Sequence, residues 1–159
     1  MQPIWIVLAD EGRARILQWR KPGSDLEDVE ELSDAGAHAD EADLNRDAAG
    51  RRAPPDAHGS RPGDTTMPGN ATVSPRESKL EHEADLFARR VAQRLAEAHR
   101  QHRFERLRIA AAPKFLGRLR KALDKEVSGA VEDEIDKDLL QLDRRTLTQR
   151  FFPGETGRP

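Results

Sequence analysis

The two ends of this chain carry apolar residues in different rhythms, and a long stretch between them carries almost none. Ile4-Trp5-Ile6-Val7-Leu8-Ala9 is a continuous apolar run with β-branched and aromatic members. Such a run predicts a strand covered on both faces. Asp10-Glu11-Gly12 reads as a turn. Ala14, Ile16, Gln18 and Arg20 then alternate with Arg15, Leu17 and Trp19, which predicts a second strand in a hairpin with the first. After a turn at Lys21-Pro22-Gly23-Ser24, the residues Leu26, Val29 and Leu32 mark a short third strand. Acidic residues crowd it, which suits the edge of a sheet.

From Ser33 to Ser74 the only large apolar residues are Leu44, Met67 and Val73. So little apolar surface does not offset the entropy of ordering, and residues 34–74 are expected to form a flexible loop. A loop of that length is usually either functional or disordered.

Order resumes at Ser74-Pro75-Arg76-Glu77, with Ser74 as N-cap, Pro75 at the first helical position and Glu77 closing a capping box. Leu80, Ala84, Phe87, Val91, Leu95 and Ala98 recur at steps of three and four, which predicts one inward face of a helix ending near His99. Leu107 to Ala112 predicts a central strand. Pro113 opens a helix with Phe115, Leu116, Leu119 and Leu123 inward. Val127 to Ile135 predicts the last strand. Asp143 is placed to cap a final helix through Leu147 to Phe151, and residues 153–159 read as a disordered tail. A three-strand meander followed by strands alternating with helices predicts one α/β domain over residues 1–152. It has a mixed sheet of about five strands with three helices, in the order of ribonuclease H-like folds.

The chain has 159 residues and no cysteine, so it has no disulfide, no thiolate nucleophile and no Cys-ligated zinc. With no run approaching the roughly 18–20 apolar residues of a membrane span, and no basic segment before the first apolar run, a cytoplasmic protein without membrane insertion is expected. A net charge of -2 excludes a uniformly basic nucleic-acid binder. The charge is nevertheless uneven. Residues 25–47 hold ten acids against one base, whereas residues 76–125 hold fourteen bases against seven acids. Arg103, Arg106, Arg108, Lys114, Arg118, Arg120 and Lys121 of the basic half form a phosphate-binding surface if the fold clusters them. The alternative is an ordinary charged helix surface with i,i+4 partners, such as Glu81 and Asp85 against Arg89. Within the loop, Arg46, Arg51, Arg52 and Arg61 sit among glycines and prolines, where guanidinium groups could reach RNA phosphates. Nearby acids would equally balance them in a solvated linker. Asp10 could serve as a magnesium ligand of a nuclease, but the central strand ends Ala111-Ala112-Pro113 without a second acid. Hairpin turn formation is the simpler role. His99 and His102 are three residues apart beside Arg100 and Arg103, a field that opposes a cation and suits the helix C-terminus. No cofactor or metal is expected.

Three stretches together resemble one family. They are Val7 through Ile16, with Asp10 and Arg13; Ala111 through Arg120, with Pro113, Phe115, Leu116 and Gly117; and Glu134 through Leu139, with Asp136, Lys137 and Asp138. The helix segment from Glu81-His82-Glu83 through Phe87-Ala88 fits as a fourth. The chain resembles the bacterial host attachment proteins, a family grouped with bacterial relatives of the archaeo-eukaryotic peptide-chain release factors. The resemblance implies a ribonuclease H-like domain. In the release factors a loop before the long helix carries Gly-Gly-Gln into the peptidyl-transferase centre. That tripeptide is absent here; the corresponding loop offers Gly50-Arg51-Arg52 and Gly59 to Gly63 instead. The resemblance therefore implies a module binding ribosome or tRNA, with an indirect role in attachment, rather than an enzyme. A peptidyl-tRNA ester hydrolase with an atypical loop and a protein-interaction module are the alternatives.

Overall fold

The structure is a computed structural model and describes residues 2–34 and 74–155. The chain divides into two units, one of residues 1–34 with 84–159 and one of residues 35–83. The predicted loop and its four arginines, and the end of the predicted tail, lie outside the described residues.

The larger unit is built on a five-stranded sheet. Its strands are β1 (Ile4–Ala9), β2 (Arg13–Trp19), β3 (Glu27–Ser33), β4 (Arg106–Ala111) and β5 (Val131–Ile135). Their spatial order is β3-β2-β1-β4-β5. β2 runs antiparallel to β1 and β3, and β1, β4 and β5 run parallel. This is the mixed, ribonuclease H-like sheet expected from the order of elements. Every residue of β1 is buried, as its apolar run requires. β3 occupies an edge, and Val29 is bulged out of its register with β2 between the Ile16↔Glu30 and Leu17↔Asp28 pairs.

The helices are α1 (Pro75–Arg100), α2 (Pro113–Ala122), α3 (Lys125–Ala130) and α4 (Arg144–Phe151). Among the described residues there are four, not three. Val127 to Ala130 are expected from sequence to open the last strand, but Asp124 accepts the Val127 backbone N–H at 2.8 Å and caps a short helix over Lys125–Ala130. The strand begins only at Val131.

Side-chain alternation in the strands builds two cores. Trp5, Val7, Ala14, Ile16, Leu107 and Ile109 face Phe87, Val91, Leu95 and Phe104, with Phe115, Leu116, Leu119 and Val127. Ile4, Ile6, Leu8, Leu17, Trp19 and Ala110 face Leu26, Leu139, Leu140 and the α4 residues Leu147 and Phe151, with Phe152. The sheet is thus sandwiched between α1–α3 and α4. The buried Thr148 hydroxyl accepts from Leu26 N and donates to Arg144 O, so its burial leaves no polar group unpaired.

In the 35–83 unit the described residues form the first turns of α1. The predicted cap is present, because Ser74 Oγ accepts the Glu77 N–H at 3.1 Å. Leu80, expected on the inward face, is 40% exposed.

Candidate functional site

Of the seven cationic candidates of the basic half, three line one depression and four meet partners elsewhere in the fold. Arg106 and Arg108 leave β4 toward Glu132, and Arg108 Nε meets its carboxylate at 2.7 Å. Arg108 also donates to the Phe151 carbonyl and lies 4.3 Å from the Phe152 ring centroid. That ring stacks on Trp19 at 4.0 Å. Arg108 is therefore a brace that closes the C-terminus of α4 onto the sheet. Arg120 Nε pairs with Glu134 at 2.7 Å, and this partner holds its guanidinium above the ordinary arginine range. Arg103 lies over the Trp5 ring at 5.0 Å. Each of these four residues has an intramolecular partner outside α1.

The remaining three converge. Lys114, Arg118 and Lys121 stand on one stripe of α2, four and three residues apart, and line a surface depression of about 500 Å³. Gly117 and Ala122 complete the α2 side, and Asp85 and Arg89 line it from α1. The lining thus holds four cations and one carboxylate. That carboxylate accepts Arg118 Nη1 at 2.6 Å, tying the two helices together. Asp85 had been expected to pair along α1 with Arg89; the strong contact instead crosses to α2. Gly117 matters for shape. A Cβ placed there would meet no atom within 4 Å, so no neighbour demands a glycine. Its missing side chain leaves open space between Lys114, Arg118 and Lys121.

Arg89 was not among the residues singled out as a basic surface. The available signal was its position four residues after Asp85, on the helix face beside the apolar stripe. The helix packing needed to bring it near α2 is not visible in local spacing.

The other motif residues have structural places. Asp10 Oδ1 accepts the N–H groups of Gly12 and Arg13, both at 2.8 Å, and so forms the β1–β2 turn. Arg13 donates twice to Glu31 on β3. Phe87 and Phe115 meet in the core with centroids 5.9 Å apart, and Leu116 is buried beside them. Pro113 starts α2. Asp138 Oδ1 accepts the Leu140 N–H at 3.0 Å, while Asp136 and Lys137 are exposed after β5. Among the described residues, no three His, Asp or Glu side chains are grouped so that they could hold a metal ion. No described helix is long and apolar enough to cross a membrane. His102 adopts φ 58°, and the Arg103 N–H bonds to Ala98 O. The pair ends α1 in a Schellman motif with histidine at the left-handed position.

An archaeal translation termination factor shares this fold, with a TM-score of 0.50 and 14% sequence identity. The match covers 96% of this chain and 35% of the factor, so the chain spans about a third of that protein's length. A second solved structure, described only as an archaeal protein, aligns with a TM-score of 0.48, 13% identity and the same shares of each chain. No curated protein matches this sequence. The family model described as "Protein required for attachment to host cells" matches residues 5–151, and the chain belongs to this host attachment family.

Proposed function

We propose that this chain is a non-enzymatic, translation-linked module that binds ribosomal or transfer RNA through phosphate contacts. Its role in attachment to host cells would then be indirect. The observation that carries the reading is the α1–α2 depression, with Arg89, Lys114, Arg118 and Lys121 against the single carboxylate of Asp85. Such a local excess on a chain of net charge -2 attracts a polyanion at one place without making the whole surface adhesive. The fold shared with a translation termination factor supports the translation-linked setting. Arg46, Arg51, Arg52 and Arg61 are proposed as additional phosphate contacts on the strength of their sequence setting alone.

The test is co-sedimentation of the protein with ribosomes on a sucrose gradient at low and moderate salt. Co-migration that weakens steeply with salt is expected, because each phosphate contact releases counterions. The double variant Lys114→Glu/Lys121→Glu is expected to stay at the top of the gradient. A wild-type protein that stays at the top in both salts would overturn the ribosomal reading and direct attention to a protein partner.

A further inference from the structure

We propose that the RNA recognised at the α1–α2 depression is base-paired and is read through its phosphates, without sequence preference. This inference rests on the RNA-binding reading above and adds the class of RNA.

Recognition of unpaired RNA relies on bases stacked on aromatic rings. This chain has two tryptophans, five phenylalanines and no tyrosine. All seven rings are buried: Trp5, Phe87, Phe104 and Phe115 at 1% exposure or less, and Trp19, Phe151 and Phe152 at 5% or less. No tryptophan or phenylalanine ring is left to receive a base, and no histidine lines the depression. Guanidinium planes can substitute for rings; of the two in the lining, Arg89 and Arg118, the second is held against Asp85 at 2.6 Å.

Arginine and lysine read guanine edges, and asparagine and glutamine read adenine edges, where a groove admits them. The major groove of paired RNA is too deep and narrow for side chains, so cations there meet phosphates. The depression is lined only by Asp, Arg, Lys, Gly and Ala. It therefore presents charge and no asparagine, glutamine, serine or threonine. Its single acceptor group, Asp85, is engaged by Arg118.

The geometry favours a stiff partner. Lys114 and Lys121 are seven residues apart on one helix, about 10 Å along its axis. Cations anchored at set intervals along a rigid helix match a regular row of phosphates. A duplex arrives with its backbone already ordered, whereas a single strand must lose conformational freedom to present its phosphates in the same row.

The experiment uses the full chain and fluorescence anisotropy. The probes are an RNA hairpin and an unstructured single-stranded RNA with the same number of phosphates, each measured at 50 and 200 mM salt. The hairpin is expected to bind at least about fivefold tighter than the single strand. The Lys114→Glu/Lys121→Glu variant is expected to lose about tenfold or more on the hairpin and to flatten the salt slope by about two contacts. A control with the same charge change at exposed residues elsewhere, Lys21→Glu/Arg150→Glu, is expected to change affinity much less. A single strand bound as tightly as the hairpin, with both lost in the site variant, would overturn the duplex inference and leave the RNA reading standing. No binding of either probe would overturn the RNA reading itself. Equal losses in the site variant and the control would overturn the assignment to this depression.

Discussion

Asp85 on α1 accepts a 2.6 Å hydrogen bond from Arg118 on α2, an ion pair between two residues that line the cationic depression. Asp85 is half exposed, and its contact with Arg118 is screened by solvent, so its contribution to stability is at most about 1 kcal/mol. Its electrostatic effect on a bound polyanion is larger, because a fixed negative charge stands beside the phosphates. Asp85→Asn is therefore expected to tighten binding of an RNA hairpin several-fold at low salt while the melting temperature moves by little. Anisotropy titrations beside a thermal melt check both halves. Weaker binding in this variant would mean that Asp85 positions Arg118 for the ligand, and that the loss of order outweighs the gain in charge.

Gly117 separates shape from stability at the same place. A glycine inside a helix costs about 1 kcal/mol relative to alanine. An added Cβ would meet nothing within 4 Å. Gly117→Ala is thus expected to raise the melting temperature. Gly117→Leu would fill the space between Lys114, Arg118 and Lys121, and is expected to weaken hairpin binding without unfolding the protein. Circular dichroism melts together with the anisotropy assay distinguish the two effects.

Arg108 is expected to behave in the opposite manner. Its side chain is about one-fifth exposed and is shared among Glu132, the Phe151 carbonyl and the Phe152 ring. Removing it leaves Glu132 and a helix-terminal carbonyl without this donor, which costs about 2–4 kcal/mol. Arg108→Met, which keeps most of the volume, is expected to lower stability by that order in urea denaturation. Hairpin affinity of the folded fraction should be unchanged. Lysine is no substitute, since one ammonium does not reproduce the planar group that spans these partners.

The difference between Arg108 and Lys114 also shows what the sequence makes legible. Elements set by local periodicity were readable: the all-apolar β1, the long stripe of α1 and the caps at Ser74 and Asp143. α3 was not, because Val127, Val131 and Ile135 satisfy a strand and a helix-then-strand equally well. Only the side chain of Asp124, bonded to Val127 N, separates the two. Lys114, Arg118 and Lys121 were legible only as members of the set of seven cations, and one helix face groups them. Arg106, Arg108 and Arg120 looked equivalent, but their partners Glu132 and Glu134 come from β5. The Glu132 pairings follow from the β4–β5 register, and the Arg120–Glu134 pairing from the approach of α2 to β5; local spacing encodes neither. Arg89 joins the group only through the packing of α1 against α2.

His102 offers a test of the fold that is independent of the depression. It carries φ 58° at the end of α1, a conformation that costs a residue with a Cβ about 1 kcal/mol or more and costs glycine little. The Ala98 O and His99 O acceptors that close this turn are backbone groups, so the substitution leaves them in place. His102→Gly is expected to stabilise the protein by about 1 kcal/mol, less what glycine gains in the unfolded chain. Equilibrium urea denaturation with an unchanged m-value would show this directly.

The pH dependence of stability follows from Asp143. Its side-chain hydrogen bond with Thr146, with a further contribution from the Thr146 backbone N–H, holds its carboxyl below the ordinary aspartate range. A carboxylate whose folded pKa is depressed contributes stability above its unfolded pKa, and that contribution is lost as pH falls through the folded value. Glu27 shifts in the same direction through its hydrogen bonds from Arg20 and Gln18. Both groups are exposed, so the effect on the whole protein is modest. Asparagine is an equally good N-cap but does not titrate. Asp143→Asn is therefore expected to melt below the wild type near neutral pH, where the carboxylate also favours the positive end of α4. The two melting curves should converge as the pH is lowered through about 4 and below. A gap that stays constant across that range would show that the Asp143 carboxylate contributes through its shape alone and not through its charge.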